Sequence, residues 1–428
     1  MKPVPESELP RGLPGVIARI AERVSNQTDS RDLPFNDAAE GMFLADLHCD
    51  TLLWGIDPLE SRLGGHVDGP RTKAARIGLQ VFAAPTWTPL PFRNDEDRLV
   101  VSRNGFDQSH ALFPTELFSP ARRRNAKRRR RALAIARRFR QMVAQSAKSG
   151  APLKLTAIMS VSDLKSAGQG DLSALLALEG LHWLDDDADA ATVEAAVQEL
   201  FDAGYRMMAP THRFSNGLGG ASENSDGRGG LTMAGRRFVA ACLDRWIVLD
   251  LAHASPALIR EACGMALTHE SGPRPVIVSH AGVKRVNPHA RNLSDGDIRA
   301  VVSTGGLIGV GFWRSAMGWT DDETFQAKMG RIVESFAATL AVLSEQEFAD
   351  EMIGRYGRYD PFEHLAFGSD FDGATTTAFD VTGVSHVVAA LKACRNRDLE
   401  PVFPAGKLPL IAGENVRRVL AAALPQNG

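Results

Sequence analysis

Four cysteines in 428 residues, Cys49, Cys242, Cys263 and Cys394, stand without any CxxC spacing. That scarcity argues against a structural zinc knot or a disulfide framework, and a reducing compartment fits it best. An excess of charge of one sign is also missing. With 49 Lys and Arg against 51 Asp and Glu, the formal net charge is -2, so no global field draws the chain to nucleic acid or to an anionic membrane surface. No stretch reaches the roughly 18 consecutive apolar residues of a membrane span. The N-terminal segment carries Glu6 and Glu8 where a signal peptide would need an apolar run. The tail from Val416 to Gly428 is too polar and short for a GPI-anchor signal. Internal repeats and low-complexity segments are lacking as well. The expectation is a cytoplasmic protein with no membrane partner.

What is present is a hydrophobic content of 44%, enough for a large core in one big domain or two ordinary ones. Eight short apolar runs end in polar chemistry: Met42–His48, Ile77–Phe82, Ala174–Glu179, Arg206–Thr211, Ile247–His253, Pro275–His280, Gly306–Phe312 and His364–Asp370. Between most of them lie segments such as Thr192–Ala203, Met233–Leu243 and Pro256–Met265, whose apolar residues recur at helical intervals. Strand and helix alternating eight times predict an α/β fold, a (β/α)8 TIM barrel. Residues 1–41 read as an N-terminal extension and 42–428 as a single catalytic domain. An insertion at about 84–150 breaks the rhythm and carries a basic run, Arg122 to Arg131. Its bland interpretation is a helix over Ala121–Arg140 with a solvated basic face, burying Leu133, Ile135, Ala136 and Phe139.

In such a barrel the C-terminal ends of the strands converge on one mouth, where the active site is built. His48 and Asp50 end the first run, Glu179 the third, His253 the fifth, His280 the sixth and Asp370 the eighth, while His212 follows the fourth. Side chains two apart on a strand share a side, so His48 and Asp50 can bind one ion. Alone, an HxD pair is a weak signal. A carboxylate ending a buried strand, as Glu179 does, must be paired, neutralised or metal-bound, and it suits the space between two cations. Two further histidines on consecutive strands complete an imidazole and carboxylate set without thiolate, which favours zinc or another divalent first-row ion.

The same stretches resemble the membrane dipeptidase (renal dipeptidase-like, peptidase M19) family of the amidohydrolase superfamily. The blocks are Asp46-Leu47-His48-Cys49-Asp50, His66-Val67-Asp68-Gly69-Pro70-Arg71, Leu178-Glu179-Gly180, Pro210-Thr211-His212-Arg213, Asp250-Leu251-Ala252-His253, Val278-Ser279-His280, Arg291-Asn292-Leu293 and Gly368-Ser369-Asp370-Phe371-Asp372-Gly373. The resemblance implies a binuclear zinc site, with His48 and Asp50 on one ion, His253 and His280 on the other, and Glu179 bridging. It further implies that His212 stabilises the oxyanion beside the scissile carbonyl, that Arg291 binds the free carboxylate of the substrate, and that Asp370 shuttles the proton. The expected activity is a metal-dependent dipeptidase acting on small dipeptides through a hydroxide held between two Zn2+ ions.

Departures from the family pattern fall where substrate side chains would sit. The loop after residue 83 is reshaped, and Phe214-Ser215-Asn216 stands where a Cys-Asn pair is common. Two rival functions follow from these features. One is an amidohydrolase acting on another small carboxylate-bearing amide or lactam. The other is a catalytically inactive barrel that binds nucleic acid or a protein partner through the 122–131 basic run. Self-association into a homo-oligomer is compatible with either. Cys49 reads as a buried spacer between two ligands, because no base stands beside it in sequence.

Overall fold

All eight apolar runs overlap a strand of one parallel sheet in the computed structural model, which describes residues 33–54, 58–61, 65–87, 91–93, 99–101, 124–148, 150–166, 170–223, 229–373 and 375–427. They are β1 (Leu44–Cys49), β2 (Ile77–Pro85), β3 (Leu172–Glu179), β4 (Met207–Ala209), β5 (Val248–Leu249), β6 (Ile277–Ala281), β7 (Leu307–Val310) and β8 (Leu365–Phe367). Hydrogen bonding runs in the order β5, β4, β3, β2, β1, β8, β7, β6. The two ends meet where Asp250 bridges Ile277 and the Leu251 N–H donates to the Ile277 carbonyl at 2.7 Å. The result is the nearly closed (β/α)8 barrel that the alternation predicts.

Period-2 alternation divides each strand between two buried clusters. Leu79, Val81, Ala83, Leu175, Ala177, Met207, Val248, Ile277, Leu307 and Ala366 belong to one cluster, which draws on every strand and fills the barrel interior. Phe82, Ala84, Leu176, Leu178, Met208, Leu249, Val278, Ile308 and Phe367 belong to the other, with the surrounding helices. Glu179 is in phase with Leu175 and Ala177, so the end of β3 places its carboxylate over the interior. Several strands are shorter than the apolar runs. β4 stops before Pro210, which has no N–H to continue a ladder. β5 stops before Asp250, whose side chain takes the N–H groups of Ala252 and Ser279.

The interleaved helices start at side-chain caps that satisfy their orphan N–H groups. In chain order, α1 is Arg124–Ser146, α2 Ala190–Asp202, α3 Met233–Asp244, α4 Pro256–Leu267 and α5 Asp295–Val302. Asp189 caps α2, Thr232 caps α3 and Ser255 caps α4, and Ser294 with Asp297 forms a capping box on α5.

Helix α1 runs past the expected end at Arg140 to Ser146, and positions 121–123 of the expected span lie outside the described residues. Ile135, Ala136 and Phe139 are buried as predicted, whereas Leu133 is half-buried and Ala132 takes a core position instead. The solvated-face interpretation of the basic run holds for Arg129 and Arg130, which are exposed, and fails for Arg131. Arg131 is fully buried and donates to the Thr86 carbonyl at 2.6 Å. Arg128 lies 4.6 Å over the Trp87 ring and donates to the His182 carbonyl at 2.7 Å. Arg129 pairs with Glu199. Arg128 and Arg131 fasten α1 to the rim of the barrel, and Arg129 ties it to α2. Arg122 and Arg123, and most of the expected 1–41 extension, lie outside the described residues.

Candidate metal centre

The ends of β1, β3, β5 and β6 bring five predicted ligands to one place around Glu179. Its Oε1 is 3.6 Å from His48 Nε2, 3.4 Å from His253 Nε2 and 3.7 Å from His280 Nε2. Asp50 Oδ1 is 3.8 Å from His48 Nε2. Among the described residues, three sets of side chains bring donor atoms within ion-holding distance of one another: His48, Glu179 and His280; Glu179, His212 and His253; and His48, Asp50 and Asp370. Glu179 belongs to two of these sets and so does His48. Every member is buried.

Local backbone geometry turns these side chains inward. His253 and Asp370 sit at φ of 63° and 61°, in the left-handed region that non-glycine residues rarely adopt. Such strain, of order 1–3 kcal/mol per residue, gathers at functional sites. Gly180 follows Glu179 at φ 72°, and a Cβ there would meet the His182 ring at 2.3 Å and His212 N at 3.1 Å. In β1 the pairing register with β2 shifts between Asp46 and Cys49. His48 therefore leaves the simple alternation of the strand just where its ring enters the cluster.

The electrostatics fit a cation. Asp50, Glu179 and Asp370 are three buried carboxyls beside one buried guanidinium, Arg291, an arrangement too costly if all ionise without further positive charge. In the protein alone, burial pushes the Glu179 carboxyl well up, helped by Asp50 and Asp370. Burial and Asp372 raise Asp50 to about 8, and burial with Asp50 raises Asp370. Burial likewise holds His48, His253 and His280 neutral, well below the ordinary histidine range. Neutral imidazoles and crowded carboxylates are what a divalent cation requires of its ligands. Moreover, His48 Nε2, Asp50 Oδ1 and Glu179 Oε1 are buried without a hydrogen-bond partner among the described residues. The donor set fits a metal centre.

Comparison with known proteins agrees. The chain matches the membrane dipeptidase family, peptidase family M19, over residues 35–425. It belongs to that family. Among curated relatives it is 25% identical over 264 residues to the dipeptidase aclJ of Aspergillus oryzae, covering 60% of this chain and 55% of that one. It is 28% identical over 219 residues to the dipeptidase verJ of Clonostachys rogersoniana, covering 50% and 47%. The match thus spans about half the length of these two relatives. A protein of Klebsiella pneumoniae encoded in the pqqA 5′ region is 25% identical over 60% of this chain and 84% of its own. Among solved structures, a Rhodobacter sphaeroides metallopeptidase liganded with a phosphinate mimic of L-Ala-D-Ala has a TM-score of 0.62 at 21% identity, over 89% of this chain and 99% of that one. An amidohydrolase of Pseudomonas aeruginosa has a TM-score of 0.57 at 15% identity, over 90% and 98%.

Around these candidate ligands lie the other predicted residues. Arg291 is buried, donates from Nη2 to the His280 carbonyl at 2.8 Å, and has an Nε–H with no partner among the described residues. His212 Nδ1 lies 3.0 Å from the Trp87 carbonyl, which can only accept, so Nδ1 carries a proton and Nε2 faces Glu179 Oε2 at 3.5 Å. Asp370 packs against Gly373, where a Cβ would come within 2.2 Å of Oδ1. Asp372 accepts from Thr51 Oγ1 at 2.7 Å and from the His66 N–H at 2.6 Å, a support for the loop rather than a ligand. Burial pushes the Cys49 thiol well up, as a spacer requires and a nucleophile does not.

Trp87 and Phe214 fall in the two regions that the sequence places at the substrate side chains, whereas Trp313, Asp250 and Ser279 were given no role from sequence. Trp87 packs against Phe214 and His182, with ring centroids 4.8 and 5.5 Å away, and forms part of the wall beside His212. Trp313 stands 5.6 Å from the His280 ring. Asp250 and Ser279 lie beneath the histidines. The aromatic content of the 84–88 stretch was a signal for the first. Nothing in composition marks the last pair.

Proposed function

We propose that the chain is a metal-dependent dipeptidase that hydrolyses the peptide bond of small dipeptides at a centre of two divalent cations, with zinc as the preferred ion. The observation that carries this is the convergence of three histidine Nε2 atoms on one buried Glu179 oxygen that has no hydrogen-bond partner among the described residues. His48 and Asp50 would hold one cation and His253 and His280 the other, with Glu179 between them. A ligand set of imidazole and carboxylate without thiolate suits zinc. Bound there, the cations would supply Lewis acidity and bring the pKa of a coordinated water toward neutrality.

The remaining work falls to residues of the chain. Arg291 offers a planar guanidinium to the terminal carboxylate of the substrate and so orients it. His212 already gives its Nδ1 proton to Trp87, so it can donate from Nε2 only as the imidazolium. That charge suits a developing oxyanion. Asp370, whose carboxyl burial keeps prone to hold a proton, carries that proton to the departing amine. Trp87 and Phe214 wall the site beside His212, and Trp313 covers it beside His280.

We further propose that residues 42–428 form one catalytic domain, which the match over 35–425 supports. Cytoplasmic residence is part of the same proposal, supported by four cysteines that are all unpaired. No helix among the described residues is long and apolar enough to cross a membrane. Docking of nucleic acid on the basic run gains no support, because Arg128, Arg129 and Arg131 are engaged within the chain. The test is hydrolysis of a dipeptide panel that includes D-residues at the C-terminal position, run beside small amides and lactams bearing a carboxylate. Turnover confined to the latter would replace the dipeptidase reading with another amidohydrolase activity.

A further inference from the structure

Beneath the histidines lies a hydrogen-bonded pair outside the ligand set. Asp250 and Ser279 are both buried, at the seam where the barrel closes between β5 and β6. Asp250 Oδ1 accepts the N–H of Ala252 at 3.0 Å and the N–H of Ser279 at 2.9 Å. Its Oδ2 accepts the Ser279 hydroxyl at 2.6 Å. Two backbone donors on one oxygen fix the orientation of the carboxylate.

The hydroxyl of Ser279 has one proton and two lone pairs. Its proton goes to Asp250, because a carboxylate only accepts. Its lone pairs are then left for His280 Nδ1 at 2.9 Å and His48 Nδ1 at 3.5 Å. A lone pair only accepts, so both rings carry their proton on Nδ1 and leave Nε2 bare. Those bare atoms are the ones that face Glu179 Oε1.

The geometry points to Asp250 and Ser279 as positioning residues that set, through one hydroxyl, the ring tautomer of two histidines on different strands. This rests on the cation-binding reading of the site, since the tautomer matters only if Nε2 is the ligand atom. Partners of this kind orient imidazole ligands and fix which nitrogen is free. Asp250→Asn reverses the chain of donors. The two backbone N–H groups hold the amide oxygen of the variant, so its NH2 points at Ser279 and donates to the hydroxyl. One proton and one lone pair of Ser279 then remain for the two rings, and the proton goes to the nearer nitrogen, His280 Nδ1 at 2.9 Å against 3.5 Å for His48. That moves the ring proton to Nε2 and blocks the ligand atom, although the substitution is nearly isosteric.

The test uses the full chain labelled with 15N-histidine and stripped of cations. Ring-nitrogen NMR, with His280 assigned from a His280→Gln variant, reports the tautomer. Competition with a chromophoric chelator reports Zn2+ affinity, and the melting temperature is read on the same samples. Expected are the Nδ1–H tautomer at His280 in the parent protein, the Nε2–H tautomer in Asp250→Asn, and Zn2+ binding weakened by roughly 10- to 100-fold in that variant. Ser279→Ala, which frees the tautomer without imposing the wrong one, is expected to lose less affinity. If Asp250→Asn does not fold, Ser279→Ala decides alone. A pair that merely stitches the seam would lower the melting temperature and leave the His280 tautomer and relative Zn2+ affinity unchanged, and that result overturns the proposal. Failure of the parent protein to bind Zn2+ would sink the cation-binding reading instead, while the NMR comparison would still decide how Asp250 acts on the ring.

Discussion

Replacing Asp370 by Asn separates proton transfer from metal binding at the mouth of the barrel. Asp370 lies at φ 61°, and Asn is among the few side chains that tolerate this region. Its backbone is held independently of the carboxylate, by the Gly373 N–H and the Thr375 hydroxyl on the Asp370 carbonyl. The variant should therefore fold and melt close to the parent. The carboxyl is not needed to complete the set His48, Asp50, Glu179, His253 and His280, although it lies within ion-holding distance of His48 and Asp50. Loss of a positioned acid-base group costs roughly 10²–10⁴-fold in kcat, about 3–5 kcal/mol of barrel-mouth catalysis at 1.36 kcal/mol per decade. Steady-state kinetics on a dipeptide, elemental analysis and a melting curve on one preparation check all three parts. Near-normal kcat would assign the proton transfer to another group such as His212. Loss of bound metal would make Asp370 a ligand. Either result refutes the role given to it.

Three further outcomes are expected. Arg291→Lys removes the planar fork and should lower kcat/KM about tenfold or more, the worth of a charge-assisted hydrogen bond, and C-terminally amidated dipeptides should be poor substrates of the parent; equal turnover of amidated and free dipeptides would remove Arg291 from carboxylate recognition. His364, buried with Nδ1 2.8 Å from the Gly306 carbonyl, is pushed down by burial to about 4. The unfolded chain therefore takes up this proton first as pH falls, so its stabilising effect is complete above the ordinary value of about 6.5 and is lost on the way to 4, about 2 kcal/mol of it by pH 5. His364→Asn should flatten the fall in melting temperature between pH 7 and pH 5, and an unchanged slope would show that His364 does not titrate this way. Arg131→Met should disturb the Thr86–Trp87 backbone that orients His212 and reduce kcat more than KM, whereas a change in KM alone would confine Arg131 to substrate binding.

The frame of the site was legible because barrel chemistry and barrel packing share one pattern. Each strand is an apolar run that must end where its side chains meet water, and in a parallel barrel all those ends face one mouth. Glu179 was readable for that reason, as the residue that breaks a buried run in phase with Leu175 and Ala177. The geometry of His48 was less so, since the register shift in β1 depends on how β2 and β8 pack beside it. The left-handed backbone at His253 and Asp370 leaves no mark in sequence, because tertiary contacts impose it. The basic run misled through composition. Charge density alone suggests a solvated face, but Arg131 is buried on the Thr86 carbonyl at the edge of the barrel ladder. Asp250 and Ser279 look like ordinary strand residues until the seam between β5 and β6 brings them together.

The account depends most on two cations held around Glu179, and metal content by elemental analysis of the parent chain beside Glu179→Gln tests that most directly. About two divalent ions per parent chain are expected, with the ions and the dipeptide hydrolysis lost together in the variant, whose neutral amide cannot bridge them. A parent chain that hydrolyses dipeptides without bound metal, or a Glu179→Gln protein that keeps both ions, would contradict it.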